Sequence, residues 1–160
     1  MYIKKKAYSV LLCAAFTFSF YSAFPVVAQT YGNRLSSADT VIAIQGFDPV
    51  SYFDTGIPEK GSPDFISEYQ NLSWCFSSVE RMRLFNRDPE KYIPQFNGKC
   101  SWAVTQKFLA EGNPSVWSIH NDRLYLFFSE GTKRQFEKEW EHNLNIAQHT
   151  WNTFLSGINH

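Results

Sequence analysis

Leu124-Tyr125-Leu126-Phe127-Phe128-Ser129-Glu130-Gly131-Thr132-Lys133-Arg134-Gln135-Phe136 passes from an apolar run into a polar, helix-like register. Leu124 to Phe128 reads as a strand, and Ser129 reads as the cap of a helix that continues to about Phe154. Downstream, Phe136, Trp140, Leu144, Ala147 and Trp151 project within about 80° of one another at 100° per residue and form one apolar stripe. A strand that feeds a long one-sided helix needs a sheet for that helix to cover.

Working upstream, Trp117 to Ile119 and Leu124 to Phe128 flank Asn121-Asp122, which predicts a hairpin, because Asn and Asp tolerate left-handed geometry. A second hairpin is predicted from Phe65 to Tyr69 and Leu72 to Phe76 around Gln70-Asn71. In its second arm Leu72, Trp74 and Phe76 share one face, and Ser73, Cys75 and Ser77 the other. Ser77 or Ser78 then caps a helix through Arg87, with Glu80 in its first turn and Met82 and Phe85 inward. Asp88-Pro89 ends that helix and opens a short turn through Tyr92. Val41 to Ile44 and Val50 to Phe53 are strand candidates, and residues 54–64, with Gly56, Pro58, Gly61 and Pro63, read as loop. Pro94 to Gly98 is loop, and Ser101 to Leu109 reads as a short helix. No internal repeat, low-complexity tract or second domain is evident. The expected class is α+β: a small, mostly antiparallel sheet of hairpins with packed helices, the long C-terminal one as a lid.

The chain has 160 residues, and Lys4, Lys5 and Lys6 precede an apolar stretch from Ala7 to Phe24. Pro25 and Val26-Val27-Ala28 follow. This is the pattern of a cleavable signal peptide over residues 1–28, cut after Ala28. Residues 29–40 read as a flexible lead-in and residues 41–155 as the folded domain. The expectation is export to a periplasmic or secreted location, with no membrane association after cleavage. Lys plus Arg equals Asp plus Glu at 15 each, and cleavage removes three lysines, so no clustered positive charge is available for nucleic acid.

Cys13 leaves with the signal peptide. Cys75 and Cys100 remain, either as one disulfide or as a reactive thiol and a buried bystander. Cys100 opens a helix beside Lys99, where a thiolate is favoured; a buried structural cysteine is the equal alternative. No Gly-rich phosphate loop, Gly-x-Ser-x-Gly elbow, His-Glu-x-x-His or Cys-x-x-Cys motif occurs. His142 and His149 lie opposite the apolar stripe, and His120 sits beside a hairpin turn. All three read as exposed, and His160 is the C-terminus.

Gly46-Phe47-Asp48-Pro49-Val50-Ser51-Tyr52-Phe53 resembles the opening of the exported YHS-domain family. Trp74-Cys75-Phe76-Ser77-Ser78, Phe85, Asp88-Pro89-Glu90-Lys91-Tyr92 and Pro94 resemble the body of that module. Phe96-Asn97-Gly98-Lys99-Cys100 with Trp102-Ala103-Val104 is similar to the segment where some relatives carry selenocysteine. Leu124-Tyr125-Leu126 and the Trp140, Ala147, Trp151 helix resemble its C-terminal half. The resemblance implies a non-enzymatic module that binds a metal, copper or zinc, or a small ligand near Cys100. It places the ligand-binding set at Cys100, Asp48, Tyr52, Ser77 and Tyr92, with Cys100 as the metal ligand, and the partner as a metal ion or an envelope protein. The alternatives are a thiol-based redox protein with Cys100 as nucleophile and an envelope interaction module. The chain departs from the metal-binding pattern: Ser51 and Ser77 stand where relatives have cysteines, and Cys75 is one residue off.

Overall fold

The computed structural model describes residues 41–158. The signal-peptide and lead-in readings for residues 1–40, and His160, lie outside that range. In chain order the elements are β1 (Val41–Ile42), a turn at Ala43–Gly46, α1 (Ser51–Asp54), β2 (Ser62–Tyr69), β3 (Leu72–Phe76), α2 (Val79–Arg87), α3 (Pro89–Tyr92), a turn at Gln95–Gly98, α4 (Ser101–Thr105), β4 (Asn113–His120), β5 (Arg123–Phe127), α5 (Glu130–Glu137) and α6 (Trp140–Ile158). The class is α+β, with two small sheets in place of the single one expected. One has strand order β1-β3-β2, with β1 parallel to β3; the other is the β4-β5 hairpin. Among the described residues no helix is long and apolar enough to cross a membrane.

Both hairpins form around the turns expected. Gln70 and Asn71 take φ of 51° and 60°, and Asn121 and Asp122 take 49° and 56°. Two consecutive left-handed residues match the twist of the flanking strands, so the turns close directly on Tyr69↔Leu72 and His120↔Arg123.

The two hairpins belong to an internal repeat, which overturns the expectation that none exists. The Ala43–Gly46 and Gln95–Gly98 turns share left-handed residues in the same order, Ile44-Gln45-Gly46 and Phe96-Asn97-Gly98. Each is closed alike: Phe47 N–H donates to Ile44 O and Lys99 N–H to Phe96 O. Asp48 N–H donates to Glu59 O at 2.8 Å, and Cys100 N–H to Ala110 O at 2.8 Å. Gly61 N–H reaches Gly46 O as Gly112 N–H reaches Gly98 O. Both hairpins carry an irregularity at the same place, between Ser62 and Ile66 and between Asn113 and Trp117. Ser78 and Ser129 cap the following helices from extended backbone, accepting from Arg81 N–H and Thr132 N–H. Gly61 and Gly112 are required by close approach: a Cβ there would lie 2.6 Å from the Cys75 Cβ or 2.5 Å from the Gly98 carbonyl.

Each repeat buries its own aromatic core. In the first, Trp74, Phe76 and Tyr92 pack around Phe85; in the second, Tyr125 and Phe127 pack around Phe136, with Trp140, Leu144 and Trp151 laid over them. A seam joins the two. Tyr52 meets Leu124 and Leu126, its ring lies T-shaped on Trp117 at 5.3 Å, and its hydroxyl donates to Pro114 O at 2.9 Å.

Three local readings are corrected. Val50 to Phe53 is not a strand: Asp48 Oδ1 accepts the Val50 amide at 2.9 Å, and the chain curls into α1. The helix after Cys100 stops at Thr105, because Lys107 takes a φ of 63° and turns the chain away. The long helix is broken between Glu137 and Trp140. The side chain of buried Asn143 donates to Phe136 O at 2.9 Å and Gln135 O at 3.4 Å, satisfying carbonyls at the end of α5. The apolar stripe survives across the break.

Candidate functional site

Asp48 is fully buried and its carboxylate is already occupied. Oδ1 accepts Val50 N–H; Oδ2 accepts the Ser77 amide at 2.9 Å and the Ser77 hydroxyl at 2.8 Å. Arg81, in the first turn of α2, brings Nη1 to 3.5 Å from the same oxygen. The guanidinium also donates to Glu59 at 2.8 Å and Asp54 at 3.0 Å, and Nη1 to the Ser77 hydroxyl at 2.7 Å. The hydrogen bond to Glu59 is the main reason that Arg81 is held above the ordinary arginine pKa and Glu59 below the ordinary carboxylate range. This network clips α1, the 54–62 loop and α2 together, and leaves Asp48 and Ser77 engaged within the fold.

Cys100 occupies the position of Asp48 in the second repeat. Its Sγ lies 3.9 Å from Thr132 Oγ1, as Asp48 lies against Arg81, and Thr132 is the repeat equivalent of Arg81. The thiol is 0 % exposed and sits among Val104, Tyr125, Phe127 and Phe136. Both Cys75 and Cys100 are free thiols. Burial pushes the Cys75 thiol above its usual pKa.

The five sequence-predicted residues do not converge. Asp48 and Ser77 touch. Tyr52 lies close enough to feel the Asp48 charge; burial first and that charge second hold its phenol well above the usual range. Tyr92 packs in the first repeat's core, T-shaped on Phe53 at 5.4 Å, and Cys100 lies in the other repeat's core. Among the described residues no group of three His, Cys, Asp or Glu side chains is placed to hold a metal ion. Copper or zinc bound at Cys100 needs further Cys, His or Met ligands, and the core around it does not supply them. His142 and His149 are exposed, as read. His120 is half-buried: it stacks on Trp140 at 4.5 Å, with Nε2 3.0 Å from Glu141.

Sequence reasoning missed a cleft of about 530 Å³. Its walls are the hairpin tip at Gln70, the Gln95–Gly98 turn and one face of α6, where Gln148, Trp151, Asn152 and Leu155 follow helical spacing. Phe96 meets the Trp151 ring at 5.8 Å, at an angle of 66°. Among the described residues the polar lining consists of the amides of Gln70, Gln95, Asn97, Gln148 and Asn152, with no ionisable side chain. Among the described residues none of these side-chain amides has a hydrogen-bond partner. The one signal in the sequence was amide density around Trp151 and Phe96, without charge.

Compared with protein-family models, with curated proteins and with solved structures, the chain gives no significant match.

Proposed function

We propose that this chain is an exported, non-enzymatic binding module of the YHS-like kind, and that it takes a small uncharged ligand in the cleft between Gln70, the Gln95–Gly98 turn and α6. The observation that carries this reading is the set of amides around Trp151 and Phe96 that, among the described residues, have no hydrogen-bond partner and no ionisable neighbour in the cleft lining. An amide offers donors and an acceptor but no charge, so such a lining favours neutral polar ligands. The small-ligand expectation is kept, and its centre moves along one loop from Cys100 to Phe96. Burial of Cys100 argues against the redox alternative, because a nucleophilic thiol must meet its substrate.

The test is a screen of uncharged small molecules against the isotope-labelled mature protein, read in the Trp151 indole and side-chain amide signals. Shifts confined to Asn97, Gln148, Trp151 and Asn152 support the reading. Shifts centred on Cys100, or none at the cleft for any compound, overturn it. Export is tested separately: protein recovered from the envelope fraction is expected to begin at Gln29, and a full-length chain held in the membrane would count against cleavage.

A further inference from the structure

The cleft's composition narrows the ligand class. We infer that it binds a neutral oligosaccharide, with sugar rings against Trp151 and hydroxyls on the surrounding amides; this rests on the cleft being the binding site at all. A sugar ring presents an apolar C–H face and a rim of hydroxyl groups that both donate and accept. The lining supplies the counterpart of each. Trp151 is half-buried, braced by Phe96, and offers aromatic surface beside Ile93 and Pro94. Gln70, Asn97, Gln148 and Asn152 are exposed around it, and each amide carries two N–H donors and a carbonyl acceptor.

Other ligand classes fit less well. Phosphate-bearing ligands and nucleotides call for a cation or a helix N-terminus, and among the described residues the lining holds no Lys, Arg or His. A peptide that binds by strand addition needs a free strand edge, whereas these walls are a hairpin tip, a tight turn and a helix flank. A lipid chain needs continuous apolar surface, which the amides interrupt. The volume of about 530 Å³ lies within the range of ordinary small-molecule sites and suits a short oligosaccharide.

The experiment is titration of the full mature protein with maltohexaose, cellohexaose and the neutral hexamer of N-acetylglucosamine, followed by Trp fluorescence and calorimetry. At least one is expected to bind with negative heat-capacity change. Asn97→Ala and Gln148→Ala, both exposed, are expected to weaken binding about tenfold, or about 1.4 kcal/mol, at unchanged melting temperature. Trp151→Phe keeps an aromatic in the core contact and is expected to weaken it further. His142→Ala, on another face of α6, is the control and should bind normally. Failure of all three sugars at millimolar concentration, or preferential binding of a capped neutral peptide, overturns the inference. Uncharged compounds that map to the cleft in the screen while no sugar binds would leave the cleft reading standing and remove only the glycan. Binding unaffected by the Asn97, Gln148 and Trp151 changes would place the sugar elsewhere and also overturn it.

Discussion

Both repeats bury an aromatic core, but the first adds a charged node where the second has only packing. Around Asp48 the first repeat gathers Ser77, Arg81, Asp54 and Glu59 into a bonded network. The second puts Cys100 and Thr132 at the equivalent places, and α6 covers its core with Trp140, Leu144 and Trp151. The difference extends to the bridge beside each glycine. Lys60 lies over the Phe47 ring at 4.2 Å in the first repeat, whereas Lys99 is ion-paired with Glu111 in the second. One backbone plan therefore tolerates opposite interior chemistry, provided that each donor and acceptor is matched within its own copy.

The largest expected effect is one on which the repeats should agree. Phe85 and Phe136 are each fully buried at the centre of their cores, so Phe85→Ala and Phe136→Ala should each cost about 3–5 kcal/mol in chemical denaturation. That is a large part of a stability of about 5–15 kcal/mol. A loss confined to one of the two would mean that the cores are not equivalent.

The next effect should separate them. Arg81→Met leaves the buried Asp48 carboxylate its Val50 and Ser77 donors but takes away the cation facing it, and should cost about 3 kcal/mol, whereas Thr132→Val removes a capping-box hydroxyl and should cost about 1 kcal/mol. Equal losses would break the contrast between a charged and an apolar node.

The smallest effect is a pH dependence of the first repeat alone. The folded pKa of Glu59 lies below its ordinary value of 4.5, chiefly because Arg81 donates to it. Its contribution is therefore complete above that value and is lost as pH falls through the lower folded one. Hydrogen exchange below about pH 4.5 should loosen the 48–62 segment before the 100–112 segment, and Glu59→Gln should remove that order.

The hairpins, their caps and the apolar stripe were legible because each rests on local periodicity and turn chemistry. The α+β class followed from them. The repeat was not legible, since only scattered identities survive: Gly46/Gly98, Gly61/Gly112, Pro63/Pro114, Ser67/Ser118, Phe76/Phe127, Ser78/Ser129, Arg83/Arg134 and Phe85/Phe136. At the buried node, Asp48 has become Cys100 and Arg81 has become Thr132, and chemistry that different hides a shared backbone. Val50 to Phe53 looked like a strand because its residue types favour one; the Asp48 carboxylate overrides that preference. The break before Trp140 depends on Asn143 folding back on an earlier turn, which the helical stripe does not encode. The cleft was beyond reach for another reason: Gln70, Asn97 and Gln148 are far apart in the chain, and amides carry no titratable signature.

The seam between the repeats bears on the order in which the chain folds. Each hairpin closes over a two-residue turn, so its contacts are local and form quickly. The Tyr52 hydroxyl reaches Pro114 across 62 positions of sequence, and the Gln45 side chain reaches Gly112 across 67. Such contacts incur most of the loop-closure entropy and come late. Tyr52→Phe should then accelerate unfolding and leave the refolding rate almost untouched, while Phe85→Ala slows refolding, with the two repeats assembling first and locking together last.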